Sequence, residues 1–174
     1  MSDGILQYTN AGLDELISAK GQGIQGKITH VAAGTQKYTP SSLQTELRDE
    51  RQRVAIADYE DMGTRELRIA ARFDGDLEYE VGEVGFFLES GTLLAVYSSP
   101  GTTLTYKSPS SHWLQRFTLD LSPLPTDSVT VVVGVENVNL LLADELADIS
   151  AATIGNMARH VDMLFRVMDL EKAR

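Results

Sequence analysis

Gly21, Gly23 and Gly26 stand in the G-x-G-x-x-G spacing that lets backbone N–H groups approach a dinucleotide pyrophosphate. That chemistry needs the glycines after a strand and opening a helix, so that phosphate meets the helix N-terminus. Here a helix is expected before them and a strand after them. The spacing is a coincidence of letters, and nucleotide binding is not expected.

The three histidines, His30, His112 and His160, share no metal-ligand spacing, and neither H-E-x-x-H nor G-x-S-x-G occurs. His30 is expected in a strand and His160 beside a helical seam, both as packed or rim residues. Ser110, Ser111 and His112 could be pictured as nucleophile and base beside Trp113, but no orienting acid is identifiable and neighbours in one loop rarely converge. No catalytic, cofactor or metal residue is assigned.

Carboxylates offer more. Asp76, Glu78 and Glu80 lie two apart, hence on one face if the segment is a strand. Such a row would hold a cation such as calcium, meet a basic partner, or simply wet a sheet face and discourage edge pairing. Glu83, flanked by Val81 and Val84, is expected to be partly buried, which demands a charged or hydrogen-bonding partner. Arg68 and Arg72 are the candidates, in a structural role. Trp113, with Tyr59, Tyr97 and Tyr106, would supply stacking faces for a glycan.

The elements that must position these residues follow from periodicity. Asn10 reads as an N-cap, with Leu13, Leu16 and Ile17 at helical spacing and Lys20-Gly21 as the stop, predicting a helix over 11–20. Lys27 to Ala33 is rich in β-branched residues and predicts a strand ended by Gly34. Pro40-Ser41-Ser42 predicts a second brief helix reaching Leu47.

Leu67, Ile69, Ala71 and Phe73 alternate with Arg68, Ala70 and Arg72, a half-buried strand. Asp74-Gly75 then signals a tight hairpin, with Leu77, Tyr79 and Val81 returning opposite the acidic row. Gly82 marks a bulge or close approach. Val84, Phe86 and Leu88 run to a Ser90-Gly91 turn, and Leu93 to Ser98 runs back. Trp113–Leu121 and Ser128–Val138 complete a meander of six or seven antiparallel strands.

The segment after this has a different period. Ala143, Ala147, Ser150, Ile154, Met157, Val161, Leu164, Met168 and Glu171 are spaced alternately four and three, a heptad seam. Its first half is weak, its second strong. Acids crowd the start (Asp144, Glu145, Asp148) and bases the end (Arg166, Lys172, Arg174), as the helix dipole favours. Asp162 stands four before Arg166, the favourable order for a helical ion pair. Leu146, Phe165 and Val167 broaden the apolar face toward three or more helices, whereas Ile154 and Val161 pull toward two. Pattern alone leaves the number open. Folding back onto its own sheet is the alternative.

The expected fold class is therefore α+β: an antiparallel β-rich head with short packed helices over 1–140, and a C-terminal oligomerising helix over 141–174. Ile154, Met157, Val161, Leu164 and Met168 are the expected oligomerisation residues. Asp76, Glu78, Glu80 and Trp113 are the candidates for partner contact.

Bulk properties narrow the function. The 174 residues are 43% hydrophobic, so a real core is within reach. A net charge of −10 argues against the phosphate-neutralising surface of a nucleic-acid binder and against anionic lipid, and favours a basic protein partner. There is no cysteine. No run approaches the roughly 18 apolar residues of a membrane span. The N-terminus lacks the basic start and apolar core of a signal peptide, so the cytoplasm where the chain is made, and whatever assembly it then joins, is its expected place.

Several segments resemble, in order, the phage tail-collar fibre family. Tyr8-Thr-Asn-Ala-Gly-Leu-Asp-Glu-Leu-Ile17 is similar to its opening, as are Ile28-Thr-His-Val-Ala-Ala-Gly-Thr35, Tyr38-Thr-Pro40 and Gln44-Thr-Glu-Leu-Arg48. Glu83-Val-Gly-Phe-Phe87 and Gly91-Thr-Leu-Leu-Ala-Val-Tyr97 resemble its middle, and Tyr106-Lys-Ser108 its late part. The set covers roughly residues 5–135.

The resemblance implies a virion tail component whose head fastens a trimeric fibre to a baseplate protein. It implies a helical segment handing on to a receptor-binding part, and it tips the count of helices toward three. A full fibre of that family would continue far beyond this chain. The expectation is either a short adaptor for a separate fibre or spike protein, or the N-terminal part of something longer. Two rival expectations are a glycan-binding module and a small envelope hydrolase relying on His112.

Overall fold

Six consecutive residues, Glu83–Leu88, are all buried, which a strand achieves only when both of its faces are covered. That strand lies near the middle of the sheet, and the rest is arranged around it. The computed structural model describes residues 5–63, 65–134 and 138–173, and of 138–152 it describes the backbone alone. The chain divides into two compact units, Met1–Glu136 and Asn137–Arg174.

The first unit contains β1 (Ile5–Tyr8), α1 (Asn10–Gly21), β2 (Gly26–Gly34), β3 (Glu50–Asp61), β4 (Glu66–Phe73), β5 (Tyr79–Val81), β6 (Glu83–Leu88), β7 (Leu93–Ser98), β8 (Thr105–Lys107), β9 (Trp113–Asp120) and β10 (Val129–Val131). The main sheet runs β1-β7-β6-β2-β3-β4-β9, with β10 pairing β2, while β5 and β8 form a separate two-stranded sheet. Every pairing is antiparallel except β10 with β2, which is parallel. The two ends of the strand order come back together, because the Tyr8 hydroxyl on β1 donates to the Asp120 carbonyl on β9 at 2.5 Å. The result is a half-barrel.

Inside it lie Leu16, Ile28, Val31, Ile56, Ile69, Phe73, Phe86, Leu88, Leu94 and Leu119. Alternation sends the neighbouring side chains to the other face, where Ala32, Phe87, Leu93 and Val96 pack with Tyr38 and Leu47 from the β2–β3 loop. The predicted face of Leu67, Ile69, Ala71 and Phe73 is buried. The Ser90-Gly91 turn joins β6 to β7 as expected, with Gly91 at φ +89°.

Other expectations need correction. Thr9, not Asn10, caps α1. It is extended, its hydroxyl accepts from Gly12 N–H at 3.0 Å and donates to the Leu93 carbonyl, so one oxygen both caps the helix and ties it to β7. No helix forms after Pro40. Gln44 N–H bonds the Ser41 carbonyl at 3.1 Å and the Gln44 side chain accepts from Ser41 N–H. These local bonds close a turn in place of a helix.

The Asp74-Gly75 turn is present, with Gly75 at φ +85°, but no hairpin follows it. β4 pairs with β9, and the return segment leaves to pair with β8. β3 and β9 occupy both edges of β4, and Lys107 holds the turn that leaves it. Its ammonium, fully buried, donates to the carbonyls of Gly75, Leu77 and Ser108 at 2.7, 3.0 and 3.3 Å, occupying acceptors that a hairpin ladder would use. The strand expected to reach Val138 is only Val129–Val131, and 135–137 lie outside the described residues. The sheet is thus not a simple meander.

The second unit contains α2 (Val138–Lys172). Its expected ion pair forms, Arg166 Nε to Asp162 Oδ2 at 3.5 Å. Ala143, Ala147 and Ser150 of the seam, with Asp144, Glu145, Leu146 and Asp148, lie outside the described side chains.

Burial holds three phenols protonated. Tyr8 and Tyr38 are raised far above the ordinary 10.0, and Tyr79 is pushed up to about 12 by burial. A group raised in the fold adds stability that is complete below its unfolded value and lost as pH climbs through its folded one. The head is therefore expected to lose stability progressively above about pH 10. In an alkaline titration followed by phenolate absorbance, these three tyrosines ionise together with loss of circular dichroism.

Candidate functional site

The most polar point of the interior is Glu83, at the start of β6 and 0% exposed. Its carboxylate accepts from the Tyr38 hydroxyl at 2.5 Å, from Arg48 N–H at 3.0 Å and from Asp49 N–H at 2.8 Å. The expected partners are elsewhere: Arg68 pairs with Glu60 at 3.2 Å and Arg72 with Asp74 at 2.7 Å. The charge is held by hydrogen bonds, and among the described residues no cation pairs with it. Spreading a buried charge over several donors is the alternative to an ion pair.

The donors all come from one loop, residues 35–49. Around them the packing leaves no slack. A Cβ on Gly34 would lie 2.5 Å from Glu83 Oε1 and 2.6 Å from the Asp49 carbonyl, and one on Gly82 would lie 2.5 Å from the Gln36 carbonyl. Gly82 N–H bonds the Gly34 carbonyl at 2.9 Å, so the close approach expected at Gly82 is present. The Arg48 guanidinium stacks over the Tyr38 ring at 3.8 Å, and Gln44 donates to the Tyr38 hydroxyl at 2.6 Å. At the loop's end Thr35 donates to the Asp49 carboxylate. That bond, with Arg51 beside it, holds Asp49 below the usual carboxylate range. The node fastens a loop to the sheet; it presents no reactive atom.

The acidic row does not assemble. Only Glu80 lies within a strand, paired with Lys37 at 2.7 Å. Glu78 accepts from the Tyr106 hydroxyl, and Asp76 is exposed beyond the turn. The expected single strand face is broken by the same departure from the sheet that removes the hairpin. Among the described residues, no three of His, Cys, Asp and Glu gather to hold a metal.

His112 does have an acid. Its Nδ1 lies 2.6 Å from Asp74 Oδ1, an oxygen that also accepts from Arg72 Nε. Sequence reading missed this because the two residues are 38 apart. Among the described residues no serine bonds the other ring nitrogen; Ser111 donates instead to the Ser108 carbonyl at 3.5 Å. Nucleophile and base are not brought together. His30 is exposed on β2, its Nδ1 2.8 Å from the Thr29 hydroxyl.

Trp113 stacks on Phe73, with ring centroids 4.5 Å apart and 20° between planes, so one face is covered. Its remaining surface lines a cleft of about 350 Å³, of mixed polar and apolar lining, with Leu6, Tyr97, Leu104, Gln115, Arg116 and Phe117. Tyr97 joins it there; Tyr59 and Tyr106 do not.

On α2 the seam residues Ile154, Met157, Val161, Leu164 and Met168 are 49–67% exposed, and Met163, Phe165, Val167 and Leu170 are exposed beside them. An apolar surface of this extent on one helix is a mark of an interaction site.

These features define the class as an antiparallel β half-barrel pinned by a buried carboxylate and joined in sequence to a long apolar helix. No family model, curated protein or solved structure matches the chain.

Replacing Glu83 by alanine strands the Tyr38 hydroxyl and two backbone N–H groups. At about 1–3 kcal/mol for each stranded donor, Glu83→Ala is expected to lower stability by about 3 kcal/mol or more in urea denaturation. Amide exchange should accelerate first in the loop 35–49.

Proposed function

We propose that this chain is a structural attachment piece of a phage or phage-like tail. The β-rich head fastens to a baseplate protein. The C-terminal helices of three copies bundle as a coiled coil, onto which a separate fibre or spike protein docks. It performs no catalysis and works in the virion tail after assembly in the host cytoplasm.

The observation that carries the reading is the exposed apolar seam from Ile154 to Met168. Water-facing Ile, Val, Leu and Met at heptad spacing cost solubility unless other helices cover them. The resemblance to tail-collar fibre proteins adds a second support. Most of its segments meet at one place: Gly34-Thr35, Tyr38, Gln44, Arg48 and Glu83 belong to the node that pins the β2–β3 loop.

Light scattering at micromolar concentration is expected to return three chains. Removing residues 138–174 should leave a soluble, folded, monomeric head. A full-length chain that scatters as a monomer counts against the proposal.

A second reading, a glycan-binding module, is favoured by the single cleft that Trp113 and Tyr97 share. Under it, signal on a glycan array is abolished by Trp113→Ala while the variant's circular dichroism is unchanged. Silence of the native protein across the array retires it.

A further inference from the structure

Beside the seam on α2 runs a second one. Met163, Val167 and Leu170 are exposed at 61, 49 and 72% and are spaced four and three. Toward the N-terminus the same spacing continues through His160, Asn156, Thr153, Ile149, Leu146 and Leu142. Each of these residues immediately precedes a residue of the first seam. The two seams are thus separated by one residue's advance, about 100° around the helix axis. Over 159–169 the charged residues are Arg159, Asp162, Arg166 and Asp169, spaced three, four and three, which confines charge to one narrow stripe. A helix apolar over most of its circumference belongs inside a bundle, with neighbours on more than one side.

The seams are complementary in size. At 143, 147 and 150 the first seam has Ala, Ala and Ser, where the second has Leu142, Leu146 and Ile149. At Ile154, Met157 and Val161 the first is large, where the second has Thr153, Asn156 and His160. Both are apolar at Met163-Leu164 and Val167-Met168. Packing the first seam on itself sets Ala against Ala, and packing the second on itself sets Asn against Asn. Packing first on second, in parallel and in register, puts at least one Leu, Ile, Val or Met in every layer from 142/143 to 167/168.

We propose that α2 associates through unlike seams, the Ile154–Met168 seam of one copy lying on the Thr153–Leu170 seam of the next. This rests on the oligomeric reading above and specifies its geometry. A contact between unlike surfaces leaves one free seam at each end of a pair, so it propagates until a ring closes. The occupant of the second seam is a further copy of this chain. The assembly is a closed ring of three or more parallel helices, not a two-stranded coil.

The test uses two full-length triple variants. One carries Val161→Glu, Leu164→Glu and Met168→Glu in the first seam; the other carries Met163→Glu, Val167→Glu and Leu170→Glu in the second. Sedimentation equilibrium should find each variant monomeric by itself. Their equimolar mixture should form a one-to-one dimer that grows no further, because each supplies the intact seam the other lacks. Glutamate in both sets removes any charge attraction between them.

Second-seam variants that keep the native mass overturn the proposal and leave the oligomeric reading standing. So does a mixture that stays monomeric while the native chain associates. A monomeric native chain overturns both. Circular dichroism checks that the head is folded in each variant. Where a triple variant fails that check, Val161→Gln and Val167→Gln repeat the comparison with the same criteria.

Discussion

The fold of the head depends on a buried carboxylate that, among the described residues, no cation neutralises. Glu83 begins β6, the strand buried along its whole length, and its oxygens are satisfied only if the loop of 35–49 crosses back to deliver the Tyr38 hydroxyl and two backbone N–H groups. That requirement fixes the loop's path. It brings Tyr38 and Leu47 down onto Ala32, Phe87 and Val96, which makes the second face of the sheet a core. Without the loop these side chains would face water, and β6 would be half exposed. Removing the charge therefore disturbs packing as well as hydrogen bonding, and polar and apolar contributions at this point are not separable.

Lys107 plays a matching part elsewhere. Its ammonium is held by three carbonyls, so among the described residues the head buries one anion and one cation, which do not meet. Each organises an irregular segment with the backbone's own dipoles: Glu83 gathers N–H groups, Lys107 gathers C=O groups. Burying a charge in this way is costly unless every lone pair or proton finds a partner. Lys107 has an acceptor for each of its three N–H groups, and Glu83 has three donors spread over its two oxygens, which is why these irregular segments hold defined paths.

How much of this was legible in the sequence follows from which interactions leave a pattern. Leu67, Ile69, Ala71 and Phe73 announced a strand face, and Ser90-Gly91 announced its turn, because periodicity and turn chemistry are local. β3 was not read. Its twelve residues include Glu50, Arg51, Arg53, Asp58, Glu60 and Asp61, and only Ile56 and Ala57 in its middle are fully buried, so charge hides the alternation. β1 is too short to show a period, and the parallel placement of β10 beside β2 is a matter of topology alone. At the node, Glu83 stood out as an acid between valines. Its partners did not, since backbone N–H groups have no letter and Tyr38 lies 45 residues away. Lys107 went unread for a related reason: a cation held by carbonyls has no acid to be matched with. The acidic row failed because one assumption, a continuous strand from 76 to 81, was wrong.

The parallel strand β10 is the last piece of sheet before the chain passes into α2, and its position has a mechanical meaning. It is bonded not to an edge but to β2, a central strand, with further bonds from Gly26 N–H to the Ser128 carbonyl, from Val132 N–H to the Ile28 carbonyl and from Gly134 N–H to the Ile56 carbonyl, at 2.7, 3.0 and 2.7 Å. Tension drawn along this strand from its C-terminal end shears these bonds simultaneously instead of peeling them one after another. The load passes to β2 and from there to β3 and β6 on either side. A tether rooted in the middle of a sheet resists pulling far better than one sewn to its hem.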